Sequence, residues 1–206
     1  MSSPHPPLDP ATLGADPIAA FRRWFDEAVA AGVRMPEAMA LATATPEGRP
    51  SLRWVLLKGV EPPGHFLFFT NYESRKGAEI ALNREGAIAF HWEPPERQVR
   101  IEGPIVMLDD DESDAYWSTR SRDSRIAASV SQQSRPVADR AAMERAFAAL
   151  DAAAPGDLPR PEHWGGYALV ARAIEFWQGQ PGRFHDRLRY ERAHAGVPWT
   201  VERLWP

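Results

Sequence analysis

Glu175-Phe176-Trp177-Gln178-Gly179-Gln180-Pro181-Gly182-Arg183-Phe184-His185-Asp186-Arg187-Leu188-Arg189-Tyr190 holds two extended, aromatic-rich runs around Gly179, Pro181 and Gly182. That is the pattern of strand, tight loop, strand. Side chains alternate across a strand, so Arg183, His185 and Arg187 are expected on one face, with Phe184, Asp186 and Leu188 on the other. Two guanidiniums and an imidazole beside Trp177 suit a planar anionic ligand. A solvated outer strand face is the alternative, and this stretch alone does not choose between them.

Working outward, the final strands are expected to number three, entered at Trp164-Gly165-Gly166 and ending near Leu204. Upstream, Met39–Thr45 and Ser51–Gly59 read as a hairpin around Pro46-Glu47-Gly48-Arg49. His65–Asn71 follows the Glu61-Pro62-Pro63-Gly64 loop, and Gly86–Trp92 pairs with Gln98–Leu108 around Pro94-Pro95. Asp16-Pro17 opens a helix carrying Ile18, Phe21, Trp24, Phe25 and Val29 at helical spacing, and Gly32 closes it. Helices are also expected from Ser74 to about Asn83, from Asp109 onward, and over Val137–Ala152. Short strands with inserted helices indicate an α+β protein built on a β-barrel. Residues 1–15, rich in proline and small residues, are expected to be a flexible segment ahead of one domain spanning 16–206.

Composition excludes several classes. No run of 18 apolar residues is present, so no membrane span is expected. The first residues lack the basic and apolar regions of a secretory signal. The absence of cysteine rules out disulfides, thiolate metal sites and a cysteine nucleophile. These features fit a cytoplasmic protein. A net charge of -4 argues against a general nucleic-acid binder, so an anion must be held by local clusters of arginine. Neither Gly-x-Gly-x-x-Gly nor a P-loop occurs, there is no Gly-x-Ser-x-Gly elbow, and the six histidines are scattered, so no metal site is expected.

The positive signals are cations beside hydroxyls and amides. Ser74-Arg75-Lys76 at a helix start combines free N–H groups with two cations, a phosphate seat or an ordinary cap. Arg53 and Lys58 lie in an apolar strand, where charge needs a partner. Five residues apart, they face opposite sides of a regular strand unless a bulge intervenes. Tyr116, Arg120 and Ser124, at i, i+4 and i+8, share one face of a continuous helix. Gln98, Gln133 and Ser134 offer donors and acceptors for a heterocycle edge, or simple loop caps.

Together, Arg53–Lys58, Phe69-Thr70-Asn71 with Ser74-Arg75-Lys76, Glu96–Val99, Tyr116–Ser134, Trp164-Gly165-Gly166 and Glu175–Arg187 resemble the pyridoxamine (pyridoxine) 5'-phosphate oxidase family, FMN enzymes of vitamin B6 metabolism. The resemblance covers nearly all of the chain from Asp16 onward. It implies an antiparallel, Greek-key FMN-binding split β-barrel with flanking helices, and a homodimer with FMN at the interface. Carried over residue by residue, the FMN contacts are Arg53, Lys58, Thr70, Arg75, Lys76, Gln98, Gln133, Ser134, Trp177 and Arg187. The substrate phosphate falls to Lys58, Tyr116, Arg120 and Ser124. Arg183 and His185 lie over the substrate ring, Arg183 as the principal catalytic residue and His185 as a positioning group. The implied reaction moves a hydride from substrate C4' to the flavin, with O2 as final acceptor and peroxide released; pyridoxamine or pyridoxine 5'-phosphate becomes pyridoxal 5'-phosphate. Two departures stand out. Residues 1–15 lack an Arg-x-x-Tyr element common near the family's N-terminus, and Phe69 replaces a frequent tyrosine. A phenazine-type oxidase of the same fold and a binding module without turnover are the competing readings.

Overall fold

The structure, a computed structural model, describes residues 6–206. Ten antiparallel strands form one sheet: β1 (Ala38–Ala44), β2 (Pro50–Leu56), β3 (Gly59–Glu61), β4 (His65–Asn71), β5 (Glu85–Trp92), β6 (Arg97–Met107), β7 (Trp164–Val170), β8 (Ala173–Gln178), β9 (Asp186–Glu191) and β10 (Thr200–Arg203). The main path runs β10-β9-β8-β6-β5-β1-β2. Strand β6 is long enough to serve two partners on one edge. Its Arg97–Glu102 half pairs with β8, and Ile105–Met107 pairs with β7, which continues to β4 and β3. The change of partner curls the sheet into a half-barrel. Gly103 sits at the handover, where a Cβ would lie 2.0 Å from the Val170 carbonyl oxygen, so only glycine lets the strands approach.

Among the described residues, six α-helices flank the sheet: α1 (Pro10–Leu13), α2 (Pro17–Ala30), α3 (Arg75–Leu82), α4 (Asp110–Ser118), α5 (Arg122–Val130) and α6 (Arg140–Ala153). The Asp16 carboxylate accepts the Ile18 N–H at 2.9 Å and Pro17 occupies the first turn, so α2 begins where the sequence directs. Its buried face carries Ile18, Phe21 and Trp24 into the barrel. Phe21 meets Phe66 edge-on at 5.0 Å, and Trp24 meets Phe176 at 5.1 Å. Each such ring contributes roughly 1.5–3 kcal/mol through burial. Asp109 caps α4 in a reciprocal box with Glu112, and the acids of the first turn complement its dipole.

Several expectations change. The C-terminal part holds four strands, β7 to β10, because the chain turns once more at Gly196 and returns through Thr200–Arg203. Residues 6–15, expected to be flexible, pack onto the sheet: Leu8 and Leu13 are buried, and Tyr190 donates its hydroxyl to the Gly14 carbonyl at 2.7 Å. The first five residues lie outside the described part. Tyr116, Arg120 and Ser124 do not share one helix. Ser121 accepts the Ser124 N–H and starts a new helix, so the chain breaks after Ser118. Finally, Arg183 and His185 precede β9 instead of alternating along it. Residues Pro181–Arg183 form a 3-10 turn in which Gly182 and Arg183 both take left-handed backbone, φ 69° and 62°.

Candidate functional site

A cavity of about 770 Å³ opens where β2, β4, α3, α4 and α5 converge, well inside the range for small-molecule sites. Its lining includes the cations Arg53, Lys58, Arg75, Lys76 and Arg120, and no carboxylate. Thr70, Tyr116, Ser124, Gln133 and Ser134 add hydroxyls and amides. All ten residues were singled out in the sequence. Arg53 and Lys58 reach the same cavity because β2 stops at Leu56 and the Lys58 N–H bonds instead to Leu67 of β4 at 2.8 Å. The strand changes sheet neighbours between them, which removes the conflict of faces.

One end of the cavity is built on the start of α3. Ser74 caps that helix, accepting the Gly77 N–H at 3.4 Å. Gly77 is needed there, since a Cβ would stand 1.9 Å from the Tyr72 carbonyl oxygen. Lys76 is buried among neutral acceptors only: Gln133 Oε1 at 2.7 Å, and Thr70 Oγ1 and Ser74 Oγ each at 3.0 Å. Burial, and then the charge of Arg53, push its ammonium down to about 8. An ammonium held this way has no counter-ion among the described residues. Arg75 donates its backbone N–H to Ser134 Oγ at 3.2 Å, fixing the loop that carries Gln133. Ser134 itself takes a left-handed φ of 71°.

The other end is aromatic. Tyr116 stacks on Phe69 at 3.9 Å, with Trp164 beyond it at 6.2 Å and nearly parallel. The Lys58 ammonium stands 6.0 Å from the Tyr116 ring centre. The Arg120 guanidinium lies 4.6 Å from the centre of Trp164 and donates Nη2 to the Ser124 carbonyl at 2.8 Å. Its Nε is buried without a partner among the described residues. Burial pushes this guanidinium below its ordinary value. A broken helix therefore still gathers Tyr116, Arg120 and Ser124, because the turn at Thr119–Ser121 folds the second piece back toward the first.

Gln98, Trp177, Arg183, His185 and Arg187 do not line this cavity. Gln98, Trp177, His185 and Arg187 form a second patch, and Arg183 lies exposed in the 3-10 turn that leads into it. Gln98 pairs across with Trp177, and Trp177 with Arg187, so three side chains stand in a row over β6, β8 and β9. The His185 ring lies 4.7 Å from Trp177. Arg187 is held by Glu175, Nε to Oε1 at 2.8 Å, and Arg100 closes on the same carboxylate. Burial works against ionisation of Glu175, but hydrogen bonds from Arg187 and Arg100 hold its carboxyl below the usual range.

Sequence reading missed the group that organises the α3 end. Glu79, 6% exposed, accepts from the hydroxyls of Thr43 and Ser51 and from Arg75 Nε at 2.9 Å, with Arg53 Nη2 at 3.4 Å. Burial raises its carboxyl, yet those hydroxyls and Arg75 bring it down to about 2. The available signal was its position four residues after Arg75 on a capped helix, which puts both on one face.

The curled antiparallel sheet and the cation-rich cavity define an FMN-binding split-barrel protein. The family model for pyridoxamine 5'-phosphate oxidase matches residues 25–152, and the pyridoxine 5'-phosphate oxidase C-terminal dimerisation region matches 164–206. The pyridoxine/pyridoxamine 5'-phosphate oxidase of Cupriavidus pinatubonensis is 51% identical over 97% of this chain and 93% of its own. That of Rhodospirillum rubrum is also 51% identical, over 93% and 96%. Among solved structures, PhzG from Burkholderia lata 383, in complex with tetrahydrophenazine-1-carboxylic acid, superposes with a TM-score of 0.92 at 34% identity over the whole of both chains. The chain belongs to the pyridoxamine 5'-phosphate oxidase family, and is a flavin-dependent oxidoreductase with FMN as cofactor.

Proposed function

We propose that the chain oxidises pyridoxamine 5'-phosphate and pyridoxine 5'-phosphate to pyridoxal 5'-phosphate, with O2 as acceptor and H2O2 as co-product. The observation that carries this is the charge balance of the cavity: five cations and no carboxylate in its lining. A phosphate monoester carries about 1.5–2 negative charges near neutrality. Two of them, one on FMN and one on substrate, match what the cavity holds. The unpaired Lys76, with Arg53, Arg75 and Ser134, suits the cofactor phosphate at the helix start. Lys58, Tyr116, Arg120 and Ser124 suit the substrate phosphate, with the buried Arg120 Nε free to donate.

Bound FMN supplies the hydride acceptor, and the protein supplies orientation and charge. The second patch belongs over the substrate ring, Arg183 aligning it and assisting departure of the C4' hydride, His185 positioning beside Trp177. Because that patch is separate from the cavity of its own chain, we assign it to the cavity of a second copy. Two features support a homodimer of this kind: the C-terminal match to a dimerisation region, and the apolar side chains Leu52 and Trp54, 66% and 67% exposed at the cavity mouth. No described helix is long and apolar enough to cross a membrane, which is compatible with the cytoplasmic placement proposed for the enzyme.

Purified protein loaded with FMN is to be assayed for pyridoxal 5'-phosphate and peroxide from each phosphate ester. Turnover of either supports the assignment. The likeness to PhzG favours one other reading, oxidation of a reduced phenazine carboxylate. Turnover of tetrahydrophenazine-1-carboxylic acid with neither ester oxidised replaces the first reading with the second. Flavin binding without turnover of any of these would leave a binding module.

A further inference from the structure

The Gln180–His185 loop is anchored by a residue that does not face the cavity. Asp186, 8% exposed, has both carboxylate oxygens occupied. Oδ2 accepts the Leu8 N–H at 3.1 Å and the Gln180 side-chain amide at 2.8 Å; Oδ1 accepts Arg203 Nη1 at 2.7 Å. Arg203 also donates to the Leu8 carbonyl, and Gln178 Nε2 donates to the Pro6 carbonyl at 2.8 Å. One carboxylate thus joins the N-terminal segment, β10 and the loop. From Gln180 the link continues: its backbone N–H donates to His185 Nδ1 at 3.2 Å. A nitrogen that accepts carries no proton, so the neutral ring holds its hydrogen on Nε2.

We propose that Asp186 is a positioning residue for the oxidation, fixing the loop that carries Arg183 and the tautomer of His185 through Gln180, with residues 6–8 as its brace. This rests on the reading of Arg183 and His185 given above. The loop needs such an anchor. Arg183 occupies a left-handed conformation that a non-glycine residue adopts only when its surroundings impose it, and Phe184 beside it is 70% exposed and contributes little packing. Asp186 is the first residue of β9, so its contacts hold the loop where it joins the sheet. Without them Arg183 is free to leave the left-handed well, and the imidazole can exchange tautomers.

The test compares Asp186→Ala and Asp186→Glu with the parent as FMN-loaded full chains. Turnover is read together with the ring 15N shifts of His185, which separate a bare nitrogen from a protonated one. Asp186→Ala is expected to lower kcat by about 10- to 100-fold, the scale for a misplaced group, with KM and FMN affinity changed by less than about threefold. The His185 nitrogens are expected to move toward tautomer-averaged values, and Asp186→Glu to recover part of both effects. Should Asp186→Ala fail to fold, Gln180→Leu breaks the same link away from the N-terminal segment and must give the same changes. Unchanged ring shifts, or loss of FMN in step with loss of activity, would overturn the proposal. The ring shifts need no substrate, so they decide the role of Asp186 even if the protein oxidises neither phosphate ester.

Discussion

Replacing Glu79 by glutamine keeps the volume and one acceptor while removing the charge between Arg53 and Arg75. A buried carboxyl held at about 2, against 4.5 in the unfolded chain, favours the folded state by roughly 3 kcal/mol once fully ionised. The folded value is the lower one, so this contribution is complete above about pH 5 and is lost as pH falls toward 2. It should have dropped to less than half by pH 3. Urea unfolding of the FMN-free protein at pH 7 is therefore expected to show Glu79→Gln less stable by about 2–3 kcal/mol. Part of the loss reflects two guanidiniums left without an anion. At pH 3 the gap between parent and variant should shrink by about half. A gap under about 0.5 kcal/mol at pH 7, or one independent of pH, would refute the view of Glu79 as an ionised clamp.

Lys76 titrates near 8 in the FMN-free protein, so FMN affinity, read by flavin fluorescence quenching, should fall between pH 7 and 9; Lys76→Met should bind more weakly and lose that dependence. The same lysine, lowered from 10.5, makes the FMN-free protein gain stability as pH rises from about 8 to 10, because the unfolded chain then holds the extra proton. Arg183→Ala should cut kcat far more than FMN binding, by steady-state kinetics beside a flavin titration. Arg120→Ala, removing a charge-assisted contact of roughly 1.5–3 kcal/mol, should raise KM for the phosphate ester by about 10- to 150-fold. Trp54→Asp, at the apolar cavity mouth, should shift the protein toward monomer in sedimentation velocity at unchanged secondary structure.

The fold was legible where local chemistry and packing agree. Asp16-Pro17 and Ser74 cap the helices they announce, and β1, β4, β5 and β6 fall within a residue of their expected limits, whereas the strand expected to run to Gly59 stops at Leu56 and Gly59 opens β3 instead. What failed depended on long-range contacts. The composition of residues 6–15 is that of a loose segment, but Asp186 and Arg203, nearly 180 residues away or more, supply its partners. Spacing alone gave Tyr116, Arg120 and Ser124 one helix face; Ser121 breaks the helix because its hydroxyl caps the next one. Alternation failed at Arg183 and His185 because Pro181-Gly182 coils the chain before β9 begins. Glu79 stayed hidden because a glutamate on a helix is ordinarily solvated, and only the fold brings Thr43, Ser51 and Arg53 to it.

The separation of the anion cavity from the Arg183–His185 patch has a genetic signature. Under the shared-site arrangement proposed above, a subunit carrying Arg75→Ala spoils its own cavity but still lends an intact patch, and a subunit carrying Arg183→Ala does the reverse. Two inactive alleles expressed in one cell should then rescue each other. With random pairing, half the dimers are hybrids, each holding one intact site and one doubly damaged site, so about a quarter of all sites should work. Two lesions on the same side of that division, Arg75→Ala with Lys76→Met for instance, should rescue nothing.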